Sequence, residues 1–237
     1  MAERQTRQSQ TLLSERACGF ESHPPHHQER PDCVATPPDH SACVDDRRLG
    51  SAYVYLLGQY LGDGMVSRVP RNVWRLRIFT DRAYPAIIAA CKAAINEVCG
   101  RPAGQMQRPI WQCDEIYSDW KHWICLFPQH GPGRKHLREI TLQAWQWRLI
   151  ECFPEEFVKG LVHSDGSRVT NNVRNRLGVS YSYPRYFFSN RSDEIRALFI
   201  KGCDLLGVEA RHNNRYSVSV ARRHSVAILD EFIGPKR

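Results

Sequence analysis

Leu56-Leu57-Gly58-Gln59-Tyr60-Leu61-Gly62-Asp63-Gly64 and Val158-Lys159-Gly160-Leu161-Val162-His163-Ser164-Asp165-Gly166 decide the fold of this chain. Each stretch reads as an apolar helix ending in Asp-Gly, with the glycine as a helix stop. Each also carries small residues four apart, Gly58 and Gly62 in the first and Gly160 and Ser164 in the second. That spacing lines the small residues along one helix face. Two such faces let helix backbones approach more closely than ordinary side chains permit. One Asp-Gly helix alone says little, because an aspartate at a helix end is usually a turn residue. Two of them, with matching small-residue stripes, predict a crossing that brings Asp63 and Asp165 together.

Working outward, the two stretches head two copies of one pattern. In the first copy a helix at 52–62 precedes strands at 65–69 and 74–80, a helix at 83–100, strands at 105–113 and 115–120, and a short helix at 121–127. Residues 130–139 read as a loop and 140–153 as a connecting helix. The second copy repeats the order with a helix at 154–166, strands at 167–173 and 181–190, a helix at 191–207, strands at 208–213 and 215–221, and a helix at 222–234. Pro85 opens a helix and Gly100 closes it, and Ser192 or Asp193 caps another. Asp63 and Asp165 lie 102 positions apart, Ser118 and Ser219 lie 101 apart, and Gly131-Pro132 and Gly234-Pro235 lie 103 apart. A period near 100 is too long for a solenoid and marks a duplicated domain. The expected fold is α+β: two pseudo-symmetric αββαββα repeats forming a saddle of two antiparallel sheets. The expected divisions are 1–48, 49–136 for the first repeat, 137–152 for a linker helix and 153–237 for the second repeat.

Residues 1–48 are rich in Pro, His and charge and poor in large apolar side chains, which predicts a disordered arm. Its histidines and cysteines match no familiar zinc spacing. The nine cysteines of the chain are scattered without a Cys-x-x-Cys pair, as expected of reduced thiols in a cytoplasmic protein. The N-terminal segment lacks the apolar core of a signal peptide, and no apolar run is long enough for a membrane span. Lys and Arg exceed Asp and Glu by 33 to 25, giving a net charge of +8. That surplus is compatible with a polyanionic partner without proving one.

The two nonapeptides resemble the LAGLIDADG motifs of single-chain homing endonucleases, and the likeness covers residues 52–237. The resemblance implies a free-standing, site-specific endonuclease of mobile introns that hydrolyses the phosphodiesters of double-stranded DNA. It implies a monomer with internal pseudo-two-fold symmetry and a divalent metal, Mg2+ or Mn2+. Asp63 and Asp165 would be the metal ligands and catalytic acids, and the carbonyls of Gly62 and Ser164 would add oxygens. Two carboxylates crowded at negative helix ends are repulsive on their own, and an oxygen-seeking cation between them relieves that repulsion. Lys135 and Lys236, 72 and 71 positions after their aspartates, are the candidate catalytic lysines, with Lys121 as a competitor. Gly62, His163 and Ser164 depart from the usual centre of the motif.

The strands supply a candidate DNA surface, because Arg suits guanine edges and phosphates while Asn and Gln suit adenine. In the first half the candidates are Arg68, Arg71, Arg75, Arg77, Gln105, Gln107, Arg108 and Gln112. In the second half they are Arg168, Asn171, Asn172, Arg174, Arg176, Arg185, Arg211, Asn213, Asn214 and Arg215. Arg75 and Arg77 are two apart and share a face. No acidic residue lies between Asp165 and Asp193, as a surface meeting a polyanion requires. Two other readings stay open: a DNA-binding regulator that keeps the fold without cutting, and an intron RNA maturase.

Overall fold

The computed structural model describes residues 49–174, 176 and 178–234. The arm expected over 1–48 and the lysine at 236 lie outside the described residues. Helix α1 (Ser51–Asp63) is buried on every side from Tyr53 to Leu61, which makes it the axis of the molecule. It crosses α5 (Pro154–Asp165) at its glycines. A methyl group on Gly58 would lie 2.7 Å from the Phe157 carbonyl oxygen and 2.8 Å from the Leu161 nitrogen. One on Gly160 would lie 3.1 Å from the Gly58 Cα and still closer to the Tyr55 carbonyl oxygen. Backbone therefore meets backbone, and only glycine fits at either position.

Gly64 and Gly166 follow the acids, and the structure corrects the reason expected for them. Both have extended backbone, with φ of −99° and −97°, so neither is a left-handed helix stop. The constraint is space: a methyl on Gly64 would lie 2.9 Å from the Tyr60 carbonyl oxygen, and one on Gly166 2.6 Å from the Val162 Cα. Each chain turns from helix straight into strand against its own last helical turn.

Those strands open two antiparallel sheets. The first has the order β1-β2-β4-β3, from β1 (Gly64–Val69), β2 (Val73–Asp81), β3 (Gly104–Arg108) and β4 (Cys113–Trp120). The second has the order β5-β6-β8-β7, from β5 (Gly166–Arg174), β6 (Ser180–Ser189), β7 (Arg211–Asn214) and β8 (Ser217–Val220). Helix α2 (Pro85–Cys99) crosses over between β2 and β3, and α6 (Asp193–Leu205) does so between β6 and β7. As the sequence indicates, Pro85 starts α2, left-handed Gly100 ends it, and the Ser192 hydroxyl caps α6 by accepting from the Ile195 N–H at 3.3 Å. The helices cover one side of each sheet and leave the other side outward. No helix of the described residues is long and apolar enough to cross a membrane. The six cysteines described are all free thiols.

The ladders define which residues of the two halves correspond. Gly64 pairs with Ile78 and Ile78 with Ile116; Gly166 pairs with Phe188 and Phe188 with Val218. Ile116 thus corresponds to Val218, and Ser118 to Val220. The pairing of Ser118 with Ser219 expected from the sequence is one residue out of step, which in a strand exchanges one face for the other.

The halves also differ where they close. The second ends in α7 (Arg223–Phe232), whereas the first has only the single turn α3 (Trp123–Leu126) and then a strap over residues 127–143. The connecting helix expected at 140–153 begins later, as α4 (Ala144–Cys152), because Ile140 and Leu142 are spent as buried anchors of the strap. Buried amides fix this strap to the central helix. Gln146 donates to the Tyr53 hydroxyl at 2.8 Å, Tyr53 donates to the Leu126 carbonyl at 2.7 Å, and Gln129 donates to Gln146 at 2.5 Å and to the Thr141 carbonyl at 3.0 Å. Each of these groups, left unpaired in the core, would cost on the order of 1–3 kcal/mol.

Gly58→Val and Gly160→Val should each destabilise the protein by about 3 kcal/mol or more, since backbone on both sides cannot yield. Gly100→Ala, at a left-handed glycine with open space around it, should cost only about 1 kcal/mol. Urea unfolding midpoints measure all three; a Gly160→Val protein as stable as wild type would refute the backbone contact.

Candidate active site

The crossing of α1 and α5 sets their last turns side by side, which brings the Asp165 carboxylate against Gly62, the residue before Asp63. A methyl on Gly62 would overlap the Ser164 side chain and lie 2.9 Å from Asp165 Oδ2. The carboxylate of one helix thus rests against the small residue that precedes the acid of the other. Asn190, just past β6, donates from Nδ2 to Asp165 Oδ2 at 2.5 Å. Asn190 is itself held by Arg196 of α6, a buried guanidinium that donates to the carbonyls of Asn190 and Ser192. Neither residue was singled out by sequence reasoning. Their link to Asp165 runs through two turns of tertiary structure and leaves no local signal.

Lys135 reaches the same place. The strap brings its ammonium over the C-terminal end of α1, where Nζ donates to the carbonyls of Tyr60, Leu61 at 3.0 Å and Gly62 at 2.8 Å. It also lies 5.0 Å from the centre of the Tyr60 ring. The negative end of a helix is a favourable seat for a cation. Burial pushes the ammonium down to about 8, and the charges of Asp165 and Asp63 oppose that shift. Lys121, the competitor, lies elsewhere. It lines an open cleft of about 580 Å³ with Arg71, Arg75, Arg101, Trp120 and His122, beyond the far end of the sheet from Gly64.

His163 replaces the motif residue that is Leu61 in the first copy, and its surroundings give it a structural task. Its Nδ1 is 3.0 Å from the Tyr55 hydroxyl of α1 and its Nε2 is 3.3 Å from the Ile233 carbonyl at the end of α7. Gln59 donates to the same Tyr55 hydroxyl at 2.9 Å. An Nε2–H tautomer satisfies both contacts, donating to the carbonyl and accepting from the tyrosine. Ser164 turns inward, its hydroxyl donating to the Leu161 carbonyl at 2.9 Å.

The donor set suits a hard divalent cation: carboxylates from two helices, helix-end carbonyl oxygens and no sulfur. The described residues contain no cluster of three or more His, Cys, Asp or Glu side chains that would make a protein-only metal cage. Asp63, Asp165 and the carbonyls of Gly62 and Ser164 are the groups that would hold such an ion. The carbonyl of Gly62 already accepts from Lys135, so lysine and metal would draw on the same oxygen.

The candidate nucleic-acid residues do not form one surface, and here the structure corrects the expectation. Strand alternation sends Arg75, Arg77 and Arg108 to the outward face of the first sheet, and Asn171, Arg185 and Arg211 to that of the second. Asn213 joins them, 3.5 Å from Arg185. Arg68, Gln105 and Gln107 have the opposite parity and face the helix side, as do Arg168, Asn172 and Arg174. Gln105 bonds Asp114 at 2.6 Å and accepts from Lys92 of α2 at 3.3 Å. Arg168 forms a two-pronged ion pair with Asp230 of α7 at 2.7 and 2.8 Å, tying the sheet to its helix. That guanidinium also holds the Asp230 carboxyl below the usual carboxylate range. Arg71, Gln112, Arg176 and Arg215 sit in turns, not strands, and the strand expected to run to residue 113 stops at Arg108 because Pro109–Trp111 forms a helical turn. Asn214 closes a turn by accepting from the Tyr216 N–H at 2.9 Å.

Comparison with known proteins places the architecture. No protein-family model and no curated protein matches the sequence. Solved structures do match. A structure of mesophilic variants of the homing endonuclease I-DmoI shares 14% identity with a TM-score of 0.51, over 77% of this chain and 95% of that one. I-DmoI in complex with DNA and Mn shares 15% identity with a TM-score of 0.50, over 78% and 97%. The N-terminal LAGLIDADG domain of DUF199/WhiA is also similar, with 13% identity, a TM-score of 0.46 and coverage of 79% and 84%. The chain has the LAGLIDADG fold that its two motifs suggested.

The seat of Lys135 makes stability depend on pH. Between pH about 8, where the folded protein releases this proton, and about 10.5, where the unfolded chain does, the unfolded state holds the more protons. Raising the pH across that window therefore stabilises the native state, by on the order of 2–3 kcal/mol from this group. In metal-free protein, Lys135→Met should remove that rise while contributions from buried tyrosines cancel between the two proteins. Urea unfolding of both proteins at pH 7.5 and pH 10 reads the difference; parallel pH profiles would show that the ammonium is solvated rather than enclosed.

Proposed function

We propose that this chain is a site-specific endonuclease that cuts double-stranded DNA with the help of a divalent cation. The observation that carries the reading is the side-by-side placement of the two helix ends, with the Asp165 carboxylate against the residue before Asp63, between two sheets whose outward faces carry arginine and asparagine. A merely structural pair of acids at two negative helix ends would be repulsive, and an arrangement built to hold a cation accounts for it. Mg2+ or Mn2+, when bound, would supply the polarisation of a phosphodiester and the activation of water. I-DmoI, whose fold this chain shares, has been crystallised with DNA and Mn.

The protein's own part is to hold and orient. Asp63 and Asp165 would provide anionic oxygens, with the carbonyls of Gly62 and Ser164 beside them. Asn190 sets the rotation of the Asp165 carboxylate, and Arg196 sets Asn190. Lys135 is positioned to offset the charge of a phosphate as it gains negative character, and its lowered affinity for a proton lets it exchange one near neutral pH. Lys236 is proposed for the same role in the second half. The outward sheet faces would lie in the major groove of a duplex, to either side of the site. Intron homing as a mobile element is the setting that this activity suggests.

Asp63→Asn and Asp165→Asn should each lower double-strand cutting by on the order of 10³-fold, the loss of several kcal/mol of transition-state stabilisation. Duplex affinity in chelator should be unchanged or higher, since each change removes a negative charge. The assay is cleavage of a randomised plasmid library with Mg2+ or Mn2+, alongside duplex and structured-RNA binding. Wild-type binding to duplex without cutting would establish the regulator instead, and preference for the RNA would establish the maturase.

A further inference from the structure

The two outward sheet faces are chemically unlike, although the ladders place them in correspondence. On the first, Arg75 donates from Nε and Nη2 to Asp119, both at 2.6 Å, and lies 4.7 Å from the centre of the Tyr117 ring. Beside it the Glu115 side chain, only 2% exposed, accepts from Arg77 Nε at 3.0 Å and from Arg108 Nε at 2.9 Å. The second face lacks these acids. Counting from the matched rows Ile78–Ile116 and Phe188–Val218, Arg185 takes the place of Arg75, Phe187 of Arg77, Ser217 of Glu115 and Ala221 of Asp119. Arg185 keeps only neutral partners, Ser219 at 2.9 Å and Asn213 at 3.5 Å.

Further out on the second face, β5 presents Val169 and Val173, 38% and 44% exposed, on either side of Asn171. Tyr183 receives a hydrogen bond from Asn171 at 2.8 Å, which fixes the amide. Among the described residues the outward rows of β5, β6 and β8 carry no carboxylate, and the acid at the β7 edge, Glu209, pairs with Arg211 at 2.5 Å and Arg222 at 2.6 Å, so the charge of the β5–β6–β8 part is complementary to a polyanion.

These differences have distinct consequences for a duplex. An arginine whose charge is cancelled gains little from phosphate, so Arg75 is poorly suited to non-specific grip. The Asp119 pair uses the side edge of its guanidinium and leaves the end edge, Nη1 and Nη2, held in one direction. A fixed two-pronged donor is what reads guanine O6 and N7. Exposed valines on the second face match the methyl group of thymine, and a fixed asparagine matches adenine.

We propose that the two halves read half-sites of different base composition: guanine-containing opposite the first sheet, positioned by Asp119 and Glu115, and A·T-rich opposite the second, read by Val169, Asn171 and Val173. The proposal rests on the DNA-binding reading above. It goes beyond it by assigning a base class to each face and a positioning role to two acids.

The experiment selects duplexes that the full-length chain retains from a randomised library in chelator, then modifies one half-site at a time. Selected sequences should contain one guanine-bearing half and one A·T-rich half. Replacing thymine by uracil in the A·T-rich half should weaken wild-type binding by about tenfold, and leave the Val169→Ser/Val173→Ser double variant unaffected. Replacing guanine by 7-deazaguanine in the other half should weaken wild type by a similar factor. Asp119→Asn should respond less to 7-deazaguanine, bind random duplex more tightly and show a steeper salt dependence, because no carboxylate then neutralises the Arg75 guanidinium. These side chains are exposed enough that circular dichroism should match wild type. Selected half-sites of equal composition, or equal uracil sensitivity in the double variant, would overturn the proposal and leave DNA binding standing. Retention of no duplex at all would overturn DNA binding itself, and this proposal with it.

Discussion

Everything in this molecule depends on a contact between two backbones. Gly58 and Gly160 touch with no side chain between them, and that contact fixes how far apart α1 and α5 lie and at what height along each other. Because both helices end five residues later, the same contact determines where Asp63 and Asp165 stand. A larger residue at the crossing would separate the helices by more than a methyl group's width, and the acids with them. Packing and chemistry are thus set by the same few atoms. Gly62 extends the arrangement, since the space it leaves is filled by Ser164 and bordered by the Asp165 carboxylate.

That contact was legible in the sequence because it is local: small residues four apart, twice, each followed by Asp-Gly. The order of elements was legible for the same reason, from the period of apolar residues and from Pro85, Gly100 and Ser192 at helix ends. Strand parity was harder. Arg68, Gln105 and Arg168 read as members of one DNA-facing polar surface, yet each points to the helix side, because the register is set by the Gly64–Ile78 and Gly166–Phe188 rows. A shift of one residue in matching Ser118 to Ser219 came from the same source. Residue types in a strand say what a face can do, and only pairing says which face it is.

The lysine at the site shows a third kind of information. Its matched spacing from Asp63 made it a candidate, but its sequence surroundings, Gly131 to Lys135, identify only a turn and not the path that takes it to the end of α1. The destination is decided by Gln129 and Gln146, which bind the strap to Tyr53, the residue that lies two turns before the end of the α1 apolar run. Such a buried amide network is favourable only when every member is paired, so it specifies one path for the strap and one seat for the ammonium. The second half closes with a full helix instead, and there His163 spans from Tyr55 to the Ile233 carbonyl. The two halves keep the acids in equivalent places while surrounding them differently.

Duplication explains why the acids are symmetric, and divergence explains why their surroundings need not be. A duplicated domain begins with two identical reading faces and so prefers a palindromic partner. Once the copies are joined in one chain, each face can change without disturbing the other, provided the crossing is untouched. The conserved geometry lies at Gly58, Gly160 and the ladder rows that start from Gly64 and Gly166. The divergent chemistry lies at the outward positions, where Asp119 and Glu115 face Ala221 and Ser217 across the pseudo-two-fold. A fold that carries its paired acids at the helix crossing and its outward sheet faces away from it allows those faces to diverge at no cost to the crossing. The asymmetry of the two faces is therefore the expected outcome of joining the copies.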